Sequence, residues 1–310
     1  VGKTSIVHAL SKELLQENEA LSGFILAIRI EGIERINENF GLDVGDKIFS
    51  LVANACESAR DESTFVYRIS GNKIALMNVS GKNARDAQEL YALLKRKVSE
   101  IEHNLDYTAV FTISSGVVAF VNESGELKEL LKKADFSLSM GKRSGKNNLY
   151  LFNSIEYTKH INKLYLREKL RDSVKENFKG FEMYYQPVVD ASKLSSCSNK
   201  VDGVKVIGAE ALLRWSCPEF GLLGADQIVP ILEESGLIAP VGRWILIKTF
   251  TQCKMWNEYN KRFHMSVNLS YMQFERSDIV LDVQMALEKS GVNPENVILE
   301  ITESGYIDHV

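Results

Sequence analysis

Three polar side chains in the second half of the chain, Glu210, Asn268 and Glu300, are of types that bind a hard metal ion. Two carboxylates and an amide oxygen suit Mg²⁺ or Mn²⁺. Such an ion polarises a phosphodiester and activates a water molecule to attack it. The residue types therefore indicate metal-assisted cleavage of a phosphodiester. The alternative, that each side chain caps a strand end or faces solvent, stays open from the pattern alone.

Alternation along three predicted strands places these side chains on matching faces, because successive side chains of a strand point to opposite sides. In the first strand Glu210, Leu212 and Arg214 share one face and Ala209, Ala211 and Leu213 the other. In the other two strands, Asn268 and Glu300 lie opposite an apolar face. The strands are Val204–Trp215, Phe263–Leu269 and Val297–Thr302. If helices cover the apolar faces, the polar residues turn towards a shared interior. Each is expected late in its strand, where barrel enzymes keep their sites.

Strands and helices alternate in this half of the chain, which predicts parallel strands joined by crossover helices, as in a (β/α) barrel. Met183–Val189 is the first predicted strand, and a loop rich in Ser, Lys and Asn follows it at Ala191–Lys200. The predicted helices are Ala225–Glu234, Val241–Tyr259 and Ser277–Ser290.

The first half of the chain mixes strands and helices in an order typical of an α+β domain. The predicted strands are Phe24–Ile30, Phe65–Ile69, Ile74–Val79 and Ala109–Phe120, and the predicted helices are Val44–Ala59, Ala84–Ile101 and Glu126–Met140. The turn Ser70-Gly71-Asn72-Lys73 lies between two short apolar runs and predicts a hairpin.

A charged segment with apolar residues at helical spacing, Ile155–Phe178, separates the two halves. We predict domains at residues 1–153 and 180–310, joined by a linker helix at 154–179. A regulatory lever and a plain packed linker both fit this helix, and the pattern favours the packed linker.

Length and composition limit the classes of function. A chain of 310 residues exceeds the size of most single cores, which predicts two domains. The net charge of −4 gives no broad basic field, so we do not expect a nucleic acid polymer as a partner. Scattered cysteines without a CxxC pair fit a reducing cytosol, and no apolar run reaches the roughly 20 residues of a membrane span. We expect a cytoplasmic protein, and the start at Val1 leaves room for an upstream sensor or membrane anchor.

An ordered series of motifs over the second half resembles the EAL domains of bacterial cyclic di-GMP signalling. The motifs are Tyr185-Gln186-Pro187, Glu210-Ala211-Leu212-Leu213-Arg214-Trp215, Glu233-Glu234-Ser235-Gly236-Leu237-Ile238, Val267-Asn268-Leu269-Ser270 and Leu299-Glu300-Ile301-Thr302-Glu303-Ser304. A lone EAL tripeptide carries little information, whereas this series in order is specific. Ala225, where the family often has proline, and the Ala191–Lys200 insertion are local departures.

The resemblance implies a (β/α)₈ TIM-like barrel that opens cyclic di-GMP to linear pGpG with two divalent ions, Mg²⁺ or Mn²⁺. Glu210, Asn268 and Glu300 would be metal ligands. Glu210 and Glu303 would be the catalytic residues, with Glu303 in the loop that supports the metal site. Gln186 and Arg214 would contact the dinucleotide. The resemblance also indicates a homodimer through the EAL domain.

Later elements of the EAL family have no counterpart before Val310. These are an Asp-Asp-Phe-Gly metal motif, a catalytic lysine, a further glutamate and a glutamine. The segment after the linker is about half of the roughly 250 residues typical of such a barrel. We therefore expect a truncated barrel, cut from a longer parent protein to which any hydrolytic activity belongs.

The first half resembles GGDEF domains, whose core is a nucleotidyl-cyclase-like palm with an antiparallel sheet. The resemblance covers most of residues 4–152, through Ile36-Asn37-Glu38-Asn39-Phe40-Gly41, Gly45-Asp46 and the hairpin Tyr67-Arg68-Ile69-Ser70-Gly71-Asn72-Lys73-Ile74. The signature itself falls at Ser70, Gly71, Asn72, Lys73 and Ile74, so it is degenerate.

Active GGDEF domains hold two metal ions with an aspartate on the first strand and an acidic residue in the signature. Arg29 and Asn72 stand at these positions. Like charges about 4 Å apart repel by roughly 4 kcal/mol at an effective dielectric near 20, so Arg29 disfavours a cation. We expect no synthesis of cyclic di-GMP by this domain.

Asn37 and Asp46 match the guanine-contacting residues of the family, so GTP is a candidate regulator. The alternative, which we favour from the sequence, is that Asn37 caps a turn and Asp46 caps the following helix.

Two functions from different classes follow for the parent protein. The leading one is a cyclic di-GMP phosphodiesterase regulated by a catalytically inactive GGDEF domain. The second is a receptor that binds cyclic di-GMP without cutting it and passes the signal on. A scaffold with two inactive domains is less favoured, because Gln186 and Arg214 are both present.

Overall fold

Two separate units of structure make up the chain, Val1–Lys159 and His160–Val310. The computed structural model describes residues 21–105, 111–123, 127–143, 145, 147–190 and 205–301. None of the helices in these ranges is long and apolar enough to cross a membrane. Helix α5, which spans Ser154–Lys175, covers most of the segment where a linker helix is predicted. The predicted domain boundaries at 153 and 180 stay predictions.

The first unit is built on a sheet with the strand order β2-β3-β1-β4-β5. Its strands are β1 (Leu21–Glu31), β2 (Thr64–Ser70), β3 (Lys73–Asn78), β4 (Thr112–Glu123) and β5 (Leu149–Leu151). Its helices before α5 are α1 (Ile33–Phe40), α2 (Leu42–Ala59), α3 (Ala84–His103) and α4 (Leu127–Arg143). The strands β2, β3, β1 and β4 are antiparallel, and β5 pairs with β4 in parallel.

Strand β1 is apolar along most of its length because both faces of this central strand are covered. Leu26 on one face belongs to a core with Ile48 of α2 and Leu94 of α3. Ala27 on the other face packs in a second core with Leu138 of α4. The predicted hairpin between β2 and β3 is confirmed, with Ser70 opposite Lys73.

The second unit contains a sheet with the order β10-β9-β7-β6, and β8 pairs with the far half of β7. Its strands are β6 (Phe181–Val189), β7 (Val206–Cys217), β8 (Gly221–Gly224), β9 (His264–Leu269) and β10 (Val297–Ile301). Its helices are α6 (Ala225–Ser235), α7 (Ile238–Asn257), α8 (Tyr271–Arg276) and α9 (Ile279–Ser290). The short elements β8 and α8 were not predicted.

Strands β7, β9 and β10 are parallel, as the alternation of strands and helices predicts. Strand β6 differs, since it pairs with β7 in antiparallel fashion. Antiparallel neighbours need no crossover helix, and β6 and β7 follow each other along the chain. The predicted insertion Ala191–Lys200 lies outside the described residues.

Helices cover one face of β7 and β9 and leave the other open, which confirms the predicted alternation of faces for these two strands. In β10, Leu299 and Ile301 of the predicted apolar face are exposed, so the prediction is wrong there. Ala211 of β7 and Val267 of β9 are buried with residues of α7 and α9, among them Phe250 and Ala286. This arrangement decides which side of the sheet carries the polar side chains.

Candidate functional site

The predicted metal ligands lie beside one another on adjacent strands, on the face that the helices leave open. The Asn268 side-chain amide donates a hydrogen bond of 2.8 Å to Glu210 Oε1. Glu300 lies directly opposite Asn268 in the parallel pair β10–β9. Gln186 lies directly opposite Glu210 in the pair β6–β7. The structure therefore brings Glu300, Asn268, Glu210 and Gln186 together across four strands.

Glu210 lies deeper in the sheet than predicted. Strand β7 runs from Val206 to Cys217, so Glu210 is nearer its start than its end, whereas Asn268 and Glu300 are late in their strands. The second half of β7 continues beyond β9 because it pairs with β8, where Arg214 is opposite Gly224. The prediction of a late position is wrong for Glu210 alone.

The residue types suit a divalent cation, since carboxylate and amide oxygens are hard ligands. The Asn268 amide contacts Glu210 through its nitrogen, and its oxygen is the atom that would bind an ion. Asn268 and Glu300 are exposed and Glu210 is half-buried, so an ion could reach all three. Within the described ranges, no group of three or more His, Cys, Asp or Glu side chains is close enough to hold a metal ion. Glu303 lies outside the described residues.

Arg214 lies on the same face as Glu210, four residues further along β7. Its guanidinium carbon is 5.7 Å from the centroid of the Tyr184 ring on β6. Its Nη1 donates a hydrogen bond of 2.7 Å to the carbonyl oxygen of Leu213. Of the two predicted dinucleotide contacts, Gln186 thus lies on β6 opposite Glu210, and Arg214 lies on β7, the strand of Glu210 itself.

A hydrogen-bonded cap holds the chain directly after Asn268. The Ser270 hydroxyl accepts a 3.1 Å hydrogen bond from the backbone N–H of Met272, at the start of α8. The same hydroxyl donates a 2.5 Å hydrogen bond to Glu233 Oε1 of α6. The Ser270 backbone N–H donates to Gln273 Oε1 at 3.0 Å. The local signal for this cap is Ser-x-x-Gln directly after a strand, a capping box that we did not recognise in the sequence.

A cavity of about 460 Å³ opens beside this cap. Its polar lining includes Asn268, Ser270 and Glu233, and its apolar lining includes Leu213 and Ile245. The cavity therefore adjoins Asn268, one of the proposed metal ligands, at the carboxyl end of β9.

Family models match both halves of the chain. A model described as "EAL domain" matches residues 167–310, and one described as "Diguanylate cyclase, GGDEF domain" matches residues 2–148. The chain is a GGDEF–EAL protein. The resemblance found in the motifs is confirmed, as is a two-domain protein of mixed α/β structure.

Relatives that match both halves of the chain have names that refer to cyclic di-GMP. The chain is 27% identical to the bifunctional diguanylate cyclase/cyclic di-GMP phosphodiesterase MucR of Pseudomonas aeruginosa, over 90% of this chain and 39% of MucR. It is 28% identical to the cyclic di-GMP phosphodiesterase NbdA of the same organism, over 95% of this chain and 36% of NbdA. The solved S helix–GGDEF–EAL structure of Vibrio cholerae LapD, bound to c-di-GMP, matches 99% of this chain and 69% of its own at 15% identity, with a TM-score of 0.45. The chain thus spans well under half the length of the two P. aeruginosa relatives.

In the GGDEF domain, Arg29 stands where the family resemblance predicts the first metal ligand. Arg29 of β1 lies directly opposite Lys73 of β3, so two cationic side chains share one face of the sheet. Lys73 Nζ is 3.3 Å from Asp135 Oδ1 of α4, so the charge of Lys73 is balanced by that carboxylate.

Asn72 is engaged in holding the signature hairpin. Its side-chain amide donates a 2.9 Å hydrogen bond to the carbonyl oxygen of Ile30 on β1. Ser70 and Gly71 form the exposed part of the turn, and Ile74 is buried in the core. The signature therefore has a structural role around Asn72.

Asn37 and Asp46 lie inside helices α1 and α2, so the prediction that they cap a turn and a helix is wrong. The reason is that the chain reverses at Gly41, which has φ +91° and separates the two helices. Asn37 Oδ1 is buried without a hydrogen-bond partner among the described residues. A Cβ at Gly45 would lie 1.8 Å from that oxygen, so any larger residue at 45 would displace the Asn37 side chain.

Proposed function

We propose that the protein hydrolyses cyclic di-GMP to pGpG at its EAL domain. The observation that carries the proposal is the Asn268–Glu210 hydrogen bond, with Glu300 directly opposite Asn268. The match to the EAL family model and the relative named as a cyclic di-GMP phosphodiesterase support the substrate. On this proposal the sheet β10-β9-β7-β6 belongs to a (β/α)₈ barrel.

Each residue of the site has a part in the proposed reaction. Glu210, Asn268 and Glu300 would hold Mg²⁺ or Mn²⁺ through oxygen atoms. The ion, when bound, supplies an activated water and polarises the scissile phosphodiester. Gln186 and Arg214 bind and orient the dinucleotide, Arg214 by charge-assisted hydrogen bonds to a phosphate or base. Glu303 supports the metal site from the segment after β10.

The GGDEF domain, on this proposal, is inactive as a cyclase and regulates the EAL domain. Arg29 places a positive charge where a metal ligand would stand, and the Asn72 amide is bonded to Ile30. GTP is the candidate regulatory ligand, at Asn37 and Asp46. A homodimer through the EAL domain and a cytoplasmic location are further predictions of the same family membership.

The test is to incubate the protein, expressed at the full length of its gene, with cyclic di-GMP and Mg²⁺ or Mn²⁺. Formation of pGpG is followed by chromatography. We expect product from the wild type and none from Glu210→Ala. Glu288→Ala, which removes an exposed carboxylate on α9, is the matched control and should retain activity. A well-folded wild type that forms no pGpG would overturn the proposal.

A second candidate is a receptor that binds cyclic di-GMP without cutting it. Gln186 and Arg214, the predicted dinucleotide contacts, lie on the face that carries Glu210 and would serve such a receptor equally well. Equilibrium binding of cyclic di-GMP by a protein that forms no pGpG would select the receptor. Absence of both binding and hydrolysis would favour the third hypothesis, a scaffold with two inactive domains.

A further inference from the structure

An exposed aromatic side chain, Tyr184, lies on the face of the EAL sheet that carries the candidate site. It is 45% exposed, whereas its neighbours Met183 and Tyr185 pack on the helix-covered face. Side chains two apart in a strand share a face, so Tyr184 lies between Gln186 and Glu182. The ring therefore shares its face with Gln186, a predicted dinucleotide contact, and Gln186 lies directly opposite Glu210.

Tyr184 is level with two of the three proposed metal ligands, Asn268 and Glu300, across the sheet. It lies directly opposite Leu212 of β7. Ala211 is opposite Val267 of β9, so one residue further along both strands Leu212 is level with Asn268. Two strand spacings, or about 10 Å, therefore separate the Tyr184 backbone from that of Asn268. That span is comparable to the reach of a nucleotide from its phosphate to the outer edge of its base.

Arg214 lies over this ring and holds it in place. Its guanidinium carbon is 5.7 Å from the ring centroid, within the range of a cation–π contact. The hydrogen bond from Arg214 Nη1 to the Leu213 carbonyl restrains the guanidinium. Aromatic rings and guanidinium planes are the two side-chain surfaces on which nucleobases stack.

We propose that Tyr184 is the stacking platform for one guanine of the cyclic dinucleotide, with Arg214 fixing the ring from its other side. This inference rests on the proposed function, since it assigns the base of the same ligand whose phosphate lies at Glu210, Asn268 and Glu300. Stacking recognises any purine, so selection of guanine over adenine must come from other residues.

The test measures the dissociation constant for cyclic di-GMP with Ca²⁺ in place of Mg²⁺ to slow any hydrolysis. Tyr184→Leu keeps bulk and removes the aromatic face, and we expect affinity to fall between about 5-fold and 150-fold. Tyr184→Phe keeps the face and should bind within about 3-fold of the wild type, because the hydroxyl has no part in stacking. Tyr259→Leu is the matched control, since Tyr259 is 90% exposed and lies beside the start of β7, away from the site.

A second readout, the chemical shifts of the bound nucleotide, reports stacking directly. The ring current of Tyr184 should shift the H8 resonance of one bound guanine upfield in the wild type, and Tyr184→Phe should retain the shift. Binding by Tyr184→Leu that equals the wild type, or absence of the H8 shift from the wild-type complex, would overturn the inference alone. A wild type that binds no cyclic di-GMP would overturn the proposed function and this inference with it.

Discussion

The side-chain amide of Asn72 donates a 2.9 Å hydrogen bond to the carbonyl oxygen of Ile30, and the Ile30 N–H donates to the Asn72 carbonyl at 3.0 Å. The signature hairpin of the GGDEF domain is therefore tied to β1 by a reciprocal pair of bonds. A carboxylate at residue 72 has no proton to donate and would face the Ile30 oxygen. The side chain at this position stabilises the turn, which fits the proposal that the domain no longer acts as a cyclase.

Replacement of Asn72 by aspartate should therefore destabilise the GGDEF domain. The carbonyl of Ile30 would lose its donor and meet a negative charge, at a cost of about 1–3 kcal/mol. The measurement is the urea midpoint of the GGDEF unfolding transition. Asn54→Asp, at an exposed position on α2, is the control and should leave the midpoint unchanged. An Asn72→Asp protein as stable as the wild type would contradict the structural role.

Removal of the Asn268 side chain should weaken metal binding at the EAL domain. Asn268→Ala loses one proposed oxygen ligand and the hydrogen bond that orients Glu210. Losses of ligands and of the groups that orient them cost about 10-fold to 100-fold in metal affinity. Titration with Mn²⁺, followed by electron paramagnetic resonance of the free ion, measures the change. Gln284→Ala, which removes an exposed amide on α9, should bind Mn²⁺ as the wild type does. Equal affinities in the Asn268 and Gln284 variants would remove Asn268 from the ligand set.

The cap at Ser270 should contribute measurably to the stability of the EAL domain. Ser270→Ala removes the acceptor for the Met272 N–H and the donor to Glu233, and loss of such a cap costs about 1–2 kcal/mol. Chemical denaturation monitored by tryptophan fluorescence measures the difference. Thr251→Ala, inside α7, also removes a hydroxyl but should be neutral or slightly stabilising, because alanine has the higher helix propensity. A Ser270 variant that matches Thr251→Ala would show that the cap has no energetic role.

The ion pair between Lys169 and Glu219 should weaken as the pH falls, because the Glu219 carboxylate becomes protonated. The Lys169 ammonium donates a hydrogen bond to the Glu219 carboxylate and lowers the pKa of that carboxyl from 4.5 to about 2. Because the folded pKa is depressed, the stabilisation is present above the ordinary glutamate pKa and is lost as the pH falls towards 2. NMR titration of the Glu219 carboxyl carbon tests this, and in Lys169→Gln the midpoint should rise towards 4.5. Lys163→Gln is the control: Lys163 lies on the same helix but pairs with Glu234, so its loss should leave the Glu219 pKa unchanged.

Local patterns in the sequence determined the elements and faces of the candidate site. Alternation of apolar and polar residues placed Glu210 and Arg214 opposite the apolar side chains of β7, and burial confirms that placement. The identities of Arg29 and Asn72 were enough to predict an inactive GGDEF site, and that prediction awaits an assay. Periodicity is a property of neighbouring residues, so such features can be read without knowledge of the fold.

Only the tertiary structure decided which strands are neighbours and in what register. Asn268 and Glu210 are 58 residues apart in the chain, and their hydrogen bond depends on β7 and β9 being paired in parallel. The antiparallel course of β6, which sets Tyr184 level with Asn268, depends in the same way on pairing between strands. Hydrogen bonds between strands join residues distant in sequence, and a shift of one residue turns every side chain to the other face. The sequence alone therefore determined which residues have the chemistry, and strand pairing decided which of them meet.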